Sequence, residues 1–450
     1  MRATRQARTD EGIARHCVVD LTTALHDYYD GGEGICRVEI ETARAVLAAG
    51  GRAIWVDRSA RRISEIERDT FAELFSRQPQ VSTQNKQRLG RLGAWLRPNH
   101  RRYLDRAVGE IENDLNRNIL LRRLRARAFV PGNEDIFLLF GDYWDRPGRK
   151  TPSALKRVQG AKIVTLIYDL VPIRRPELTW NAGQMSKSFP AYLRSAAALS
   201  DRVLTISNFT RDEFLRYCRE QGLTPPPTRA VPLASDLDQR VEARFTSRLA
   251  GANLADRRFA LMVSTLEPRK NHLFAYELWR RLAERLGPRS IPLVFAGRRG
   301  WLTDNLLARM ESDPQMWGRH ILFVEGPSDE ELAWLYAHAA FTLYPSELEG
   351  WGLPITESLA FGTYCLAADN SALKEASQGL AWHADTLDGR AWLAEVERCM
   401  TDPSYLETKR KEIVARFVQR RWSDFFADVI SEVEEMGVTR APAKARQRVE

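Results

Sequence analysis

Two glutamates, Glu349 and Glu357, lie in the segment PSELEGWGLPITESLAFG (345–362), just past the apolar run FTLY. Gly350 and Gly352 let the backbone approach a ligand closely. Pro354 suits the first turn of a helix, which the pattern predicts to run to about Phe361 and to stop at Gly362. Such a helix start presents unpaired N–H groups and partial positive charge, which suit a diphosphate. One carboxylate can then face a sugar while the other accepts hydrogen bonds from ribose hydroxyls. Acidic pairs at this spacing are common. The weight comes from their setting of strand, glycine loop, proline and helix.

A second segment, STLEPRKNH (264–272), also follows an apolar run and precedes a helical pattern. Arg269 and Lys270 would put two cations beside the helix start, with Ser264 and Thr265 opening the loop. A departing nucleoside diphosphate requires such neutralisation. Taken alone, the segment reads better as a polar helix start with solvated cations. A third, GGEGICRVEIETARAVL (31–47), leads from a glycine-rich loop at Gly34 into a helix that carries Arg37, a weak phosphate or acceptor signal that is equally a tight βα turn; it is not GxGxxG. A fourth, IYDLVPIRRPE (167–177), puts Tyr168 and Asp169 at a strand end, where half-buried packing is the commoner role.

The elements that must position these residues follow from hydrophobic rhythm. In the C-terminal half, short runs apolar throughout occur at 260–264, 291–296, 321–324, 341–344 and 364–367. Between them lie helical patterns. Ala275, Leu278 and Leu282 recur after His272, and Ser328 with Glu331 forms a capping box ahead of Leu332, Leu335, Tyr336 and Ala339. Fully apolar strands alternating with amphipathic helices indicate a parallel sheet covered on both faces. In the N-terminal half, strands are predicted at 17–21, 53–56, 136–140, 163–167 and 203–206, with helices over 35–49 and after the N-cap Ser207.

The resulting class is α/β, with two Rossmann-like parallel-sheet domains facing a cleft. The first spans 12–240, with an Arg-rich helical insertion at about 58–130. The second spans 241–421, after a hinge between about 235 and 255. Residues 422–437 form a further helix, and 438–450 a polar, disordered tail.

Bulk properties narrow the alternatives. No run among the 450 residues approaches the ~20 apolar residues of a membrane-spanning helix, and no apolar h-region follows the basic N-terminus. The five cysteines are scattered without a CxxC pair, so neither a zinc site nor a disulfide framework is indicated, and a cytoplasmic setting is expected. No GxSxG or GxxxxGK[ST] occurs. Asp236 and Asp238 match a metal-holding DxD pattern, but outside a strand-to-turn context, so no metal is assigned.

The net charge is +8, and Lys86–Arg127 alone holds twelve basic residues against four acidic ones. There Leu89, Leu92, Trp95 and Leu96 lie beside Arg88 and Arg91, a combination that suits a helix at an anionic membrane surface. The same strip could instead pack on the first domain with its arginines solvated. Nucleic acid fits the charge but not the cleft motifs, and no RNP-like aromatic pattern occurs, so no nucleic-acid partner is expected.

The segments EPRKN, SDEELAWLYAHAAFTLYPSELEGWGLPITESLAFG and SDRVLTISNFTRDEFLRY resemble glycosyltransferase family 4. The likeness runs from about 160 to 380, with an echo of the family's Gly-Ile-x-Arg loop at 31–47. It implies a GT-B fold in which the C-terminal helix at 422–437 returns to the first domain, retention of anomeric configuration, no metal or other cofactor, and a GDP- or UDP-linked sugar as donor. EPRKN with Tyr-Asp-Leu-x-Pro is similar to mannosyltransferases of surface-polysaccharide assembly, which implies a glycan or lipid-linked acceptor and a place at the inner face of a membrane.

By position, Glu349 would lie near the donor sugar, Glu357 on the ribose and Lys270 on the diphosphate, with the amides of Gly352, Leu353 and Pro354 approaching sugar and phosphates. Where many members carry Arg six residues before the lysine, this chain has Ser264, which Arg269 or Arg298 would have to replace. Where many have His, it has Tyr168. These departures keep open an inactive regulator that binds a nucleotide sugar, and a metal-dependent transferase of another fold is a further alternative.

Overall fold

The structure is a computed structural model. It describes residues 12–26, 34–56, 63–75, 127–132, 134–144, 151–157, 160–179, 181–237, 240–252, 254–255 and 257–437. Fourteen strands lie among these residues, in two sheets. The first contains β1 (Cys17–Asp20), β2 (Arg52–Val56), β3 (Ile63–Ile66), β4 (Arg127–Ala128), β5 (Ile136–Leu139), β6 (Lys162–Ile167), β7 (Arg202–Thr205) and β8 (Thr228–Ala230). The second contains β9 (Ala260–Val263), β10 (Leu293–Gly297), β11 (Ile321–Glu325), β12 (Phe341–Tyr344), β13 (Cys365–Ala368) and β14 (Trp382–Ala384).

The second sheet is ordered β11-β10-β9-β12-β13-β14 and is parallel throughout. Its order reverses between β9 and β12, which pair with Phe341 opposite Ala260 and Thr342 opposite Leu261. A crevice opens beyond the carboxyl ends of strands at such a switch point, where open α/β sheets bind ligands. Segments 264–272 and 345–352 leave β9 and β12 at this place. The first sheet is ordered β4-β3-β2-β1-β5-β6-β7-β8 and switches between β1 and β5.

The first sheet departs from expectation at one edge. Sequence alone predicts long helices across 58–130. The described part begins instead with β3, paired antiparallel to β2 (Ala53 opposite Ile66, Val56 opposite Ile63), and continues into the helix Arg68–Phe75. The four-residue run ISEI is too short to stand out beside the arginines. Residues 76–126, which hold all but the last position of the basic segment, lie outside the described residues, as do 438–450.

Local chemistry fixes the helices beside the crevice. Asn271 caps the helix His272–Leu286 from a left-handed conformation (φ 61°), which asparagine tolerates. That helix buries Trp279, whose indole N–H donates to the Ile291 carbonyl at 2.9 Å. Truncating such a side chain to alanine costs about 3–5 kcal/mol. Ser328 caps the helix Asp329–His338 with the full reciprocal capping box to Glu331. Helix Leu353–Ala360 starts from Gly352 at φ 132° and carries Pro354 in its first turn; Gly362 follows its end at φ 73°. All five cysteines are free and buried.

The two sheets meet through specific contacts. Trp351, in the loop after β12, joins the hydrophobic core of the first domain. So do Trp422, Phe425, Val429, Ile430 and Val433 of helix Trp422–Glu434, whose Glu432 pairs with Arg202. Glu375 accepts from the Asn208 backbone N–H (2.8 Å) and side-chain amide (2.9 Å) at the start of helix Asn208–Glu220. Arg175 pairs with Glu347 at 2.6 Å. No helix among the described residues is long and apolar enough to cross a membrane.

Candidate active site

Glu349 sits where β9 and β12 release their loops. Its Oε1 accepts from Lys270 Nζ (2.6 Å), the Tyr344 hydroxyl (3.0 Å) and Ser346 Oγ (2.5 Å), and its Oε2 accepts from Arg269. The Ser371 hydroxyl lies 3.0 Å from the Glu349 backbone N–H, which donates to it. Burial alone would push this carboxyl up. The Arg269 and Lys270 charges outweigh it and hold the pKa at about 2. A group so firmly ionised accepts hydrogen bonds and stabilises positive charge; it does not deliver protons near neutral pH.

Arg269 also donates to Glu267 Oε1 at 2.6 Å and to the Leu348 carbonyl at 3.1 Å. Burial works against its charge, yet Glu349, Glu267 and Asp169 raise its pKa above the ordinary value. Lys270 Nζ lies 2.9 Å from the Tyr344 hydroxyl and 5.3 Å from the centre of that ring. Two carboxylates, Glu349 and Glu267, thus face the two cations. Glu267 was not singled out from the sequence, although it is the first residue of EPRKN. Tyr344 and Ser346 were also missed. Their only signal is their place at the end of FTLY.

Glu357 lies deeper, on helix Leu353–Ala360. It accepts from the Tyr336 hydroxyl at 3.0 Å and from Ser235 Oγ at 3.4 Å. Burial raises its pKa to about 7, against the lowering charge of Arg37. Arg37 comes from the first domain, on the helix Ile35–Ala48 that follows Gly34 (φ 47°), and its Nη2 lies 3.9 Å from Asp329 Oδ2. The chain therefore brings Arg37 to the second domain beside Glu357. Asp236 lies 3.9 Å from both Arg240 and Arg421, and Asp238 is outside the described residues. No group of three or more His, Cys, Asp or Glu suited to a metal ion occurs among the described residues.

Several backbone positions are closed to side chains. A Cβ on Gly350 would lie 1.9 Å from the Tyr168 carbonyl oxygen, so the loop after β12 touches the first domain backbone to backbone. A Cβ on Gly352 would meet Leu373 at 3.0 Å. Leu353 is half-buried against the first domain's core. A Cβ on Gly297 would lie 2.0 Å from the Ser264 carbonyl oxygen and one on Gly300 2.3 Å from that of Leu266, so the loop holding Arg298 packs closely onto the loop holding Ser264 and Thr265. Ser264 Oγ lies 3.2 Å from Nε2 of buried His272, whose pKa burial and Lys270 lower to about 3.

Tyr168 donates its hydroxyl to the Phe140 carbonyl at 2.5 Å, so its phenol is turned into the first domain. Asp169 accepts from the Val171 N–H at 3.0 Å, and burial pushes its carboxyl up despite the Arg269 charge. At the first sheet's own switch point, Asp20 accepts from Tyr143 (2.7 Å) and buried Glu39 accepts from the Ala24 N–H (2.5 Å). Neither carboxylate was picked out from the sequence, because each sits in an otherwise ordinary apolar pattern.

Two α/β domains with a cation–carboxylate cluster at a switch point between them define a GT-B architecture, and residues 246–415 match the family model described as Glycosyl transferases group 1. Among known proteins, the serotype-specific mannosyltransferase WbdA of Escherichia coli is 31% identical over 239 residues, which is 50% of this chain and 28% of that protein. The chain thus spans less than a third of that relative. The O-antigen chain mannosyltransferase B of Escherichia coli is 29% identical over 296 residues, 65% of this chain and 74% of the relative. Two solved structures share the fold over nearly the whole chain. Sucrose-phosphate synthase from Thermosynechococcus elongatus has a TM-score of 0.59 at 15% identity, covering 94% of this chain and 99% of its own. Anabaena HepE in complex with UDP and glucose has a TM-score of 0.55 at 12% identity, covering 93% and 99%.

Proposed function

We propose that this chain transfers a sugar, mannose by preference, from a nucleotide diphosphate donor to a glycan or lipid-linked acceptor in the synthesis of a surface polysaccharide such as an O-antigen. The observation that carries the reading is the buried cluster of Lys270, Arg269 and Glu349 at the switch point of the second sheet. The mannosyltransferase names of its relatives favour mannose. The nucleotide would lie on the second domain, with the ribose at Glu357, the diphosphate near Lys270 and the amides of Gly352 and Leu353, and the sugar near Glu349. Gly34, Arg37 and Asp169 would close the site from the first domain.

The reaction is written as retaining and metal-independent. The acceptor hydroxyl oxygen forms a bond to the anomeric carbon on the face that the diphosphate leaves. The bond from that carbon to the phosphate oxygen breaks, and the departing phosphate takes the hydroxyl proton. Lys270 and Arg269 stabilise the charge that grows on the leaving oxygen, and Glu349 faces the positive charge that grows on the sugar ring. The protein's share is orientation and electrostatics. The basic stretch at 86–127 would hold the enzyme at the anionic inner face of a membrane, where lipid-linked acceptors reside.

A thermal-shift panel of GDP-, UDP- and ADP-sugars tests the donor. A ligand that binds only the folded state raises the melting temperature by mass action. A GDP- or UDP-sugar is expected to raise it in wild type and to do so less in Glu357→Ala. A flat response to every nucleotide sugar would overturn the proposal.

A further inference from the structure

Glu349 lies in a loop that is tied to the first domain on both sides of it, by two different kinds of contact. Downstream, the contact is packing. A Cβ on Gly350 would lie 1.9 Å from the Tyr168 carbonyl oxygen, and Trp351 joins the first domain's core. Upstream, the link is ionic. Arg175 Nη2, from the first domain, donates to Glu347 Oε2 of the second at 2.6 Å. Beside this pair lies a cavity of about 300 Å³, lined by Arg174, Arg175 and Glu213 on one side and by Glu347, Leu348 and Glu349 on the other. Charge rather than close packing therefore spans this part of the interface.

Both partners stand on fixed backbone. Arg175 sits between the helix Val171–Arg174 and the short 3-10 helix Pro176–Leu178. Its N–H donates to the Val171 carbonyl (2.8 Å), and its carbonyl accepts from the Leu178 N–H (3.0 Å). Its Nε donates to Glu177 Oε1 at 2.5 Å, so the guanidinium is held at two points. Glu347, for its part, is joined to the catalytic cluster. Its N–H donates to the Arg269 carbonyl at 2.9 Å. The neighbouring Ser346 hydroxyl lies 3.1 Å from the same carbonyl and 2.5 Å from Glu349 Oε1. Arg269 in turn donates to the Leu348 carbonyl at 3.1 Å. Residues 346–349 and Arg269 thus form one hydrogen-bonded unit, and Arg175 grips it at Glu347.

We propose that Arg175 is a positioning residue for sugar transfer: by gripping Glu347 it sets where the loop 345–349 stands against the first domain, and so where the Glu349 carboxylate and the Arg269 guanidinium meet the reacting sugar phosphate. The inference rests on the transferase reading and adds a residue to it. Stability does not explain the pair, because ion pairs between side chains 42% and 29% exposed add little to folding. Placement does. A shift of about 1 Å in groups near the chemistry can cost about a hundredfold in rate. The pair exists only while the two domains are together, so it holds the cluster in that arrangement.

The test measures GDP release from GDP-mannose with octyl α-mannoside as acceptor, in wild type, Arg175→Gln, Glu347→Gln, the double variant and Arg175→Lys. Each single Gln variant is expected to lower kcat about tenfold, with the GDP-mannose KM within about twofold of wild type. The double variant is expected to lose no more than either single one, as for two residues that act as a unit. Arg175→Lys, which keeps a cation for Glu347, is expected to recover part of the loss. Melting temperatures are expected to move by about 2 °C or less, so a fall in kcat is not a loss of fold. Folded Gln variants with wild-type kcat would overturn the positioning role and leave the transferase reading intact. Losses that multiply in the double variant would also overturn it, since the two residues would then act apart. A wild type that releases no GDP would overturn the mannosyl-transfer reading and this inference together.

Discussion

Lys270 Nζ and Glu349 Oε1 are 2.6 Å apart, on side chains 11% and 8% exposed. They belong to loops that leave neighbouring strands, and Arg269 completes the pair from the other carboxylate oxygen. Breaking such a buried pair leaves a charge without its partner, which costs about 3–5 kcal/mol.

Glu349→Gln and Lys270→Ala are therefore expected to lower turnover at least about a hundredfold, the scale of losing one preorganised electrostatic group. Both are also expected to lower the melting temperature, with far-UV circular dichroism unchanged. Near-normal turnover in both folded variants would remove the active-site assignment.

Gly350→Ala addresses the contact between the domains. The added methyl would sit 1.9 Å from the Tyr168 carbonyl oxygen, against backbone that cannot swing aside. The domains must then separate locally, so turnover is expected to fall at least about tenfold, since small misplacements near the chemistry carry such costs. A kcat equal to wild type, with the variant's melting temperature unchanged, would show that the contact is dispensable.

Glu357 sets a pH dependence. Its folded pKa of about 7 lies above its ordinary carboxylate value, so the folded state binds the extra proton. The associated stability is full below about pH 4 and is lost as pH rises through 7. Between pH 6 and 8 it amounts to ~1 kcal/mol. Urea unfolding at the two pH values is expected to show this slope in wild type and to show less of it in Glu357→Gln. Glu349 has the opposite sign: its contribution is present above pH 4.5 and lost as pH falls toward 2. An equal slope in wild type and Glu357→Gln would refute the Glu357 assignment.

Much of this arrangement is visible in the sequence, for identifiable reasons. β9, β10 and β13 carry no polar side chain because both faces of their sheet are covered, and Ser207 and Ser328 announce their helices by side-chain capping. The loops with Arg269, Lys270 and Glu349 stand out through glycine and proline chemistry. What sequence did not disclose comes from sheet order. The β9–β12 pairing brings residues 264–270 against 344–350, so the partners Tyr344 and Ser346 have no local signature. β3 was hidden because four alternating residues at a sheet edge carry little signal beside a long basic run.

That basic run, Lys86–Arg127, supports a separate expectation. Wild type should float with anionic liposomes at low salt and be released at high salt, since each cation near an anionic surface contributes about 1 kcal/mol under weak screening. Changing Arg88, Arg91, Arg97, Arg101 and Arg102 to Gln should abolish flotation. If wild type does not float with anionic lipid at low salt, the membrane role is wrong.

We propose retaining, metal-independent sugar transfer at the Lys270–Arg269–Glu349 cluster. Its most direct test is NMR of the glycoside formed from an α-configured GDP- or UDP-sugar in the presence of EDTA. An α-linked product is expected, formed at the same rate with and without chelator and absent with Lys270→Ala. A β-linked product, or strict dependence on added manganese, would contradict it.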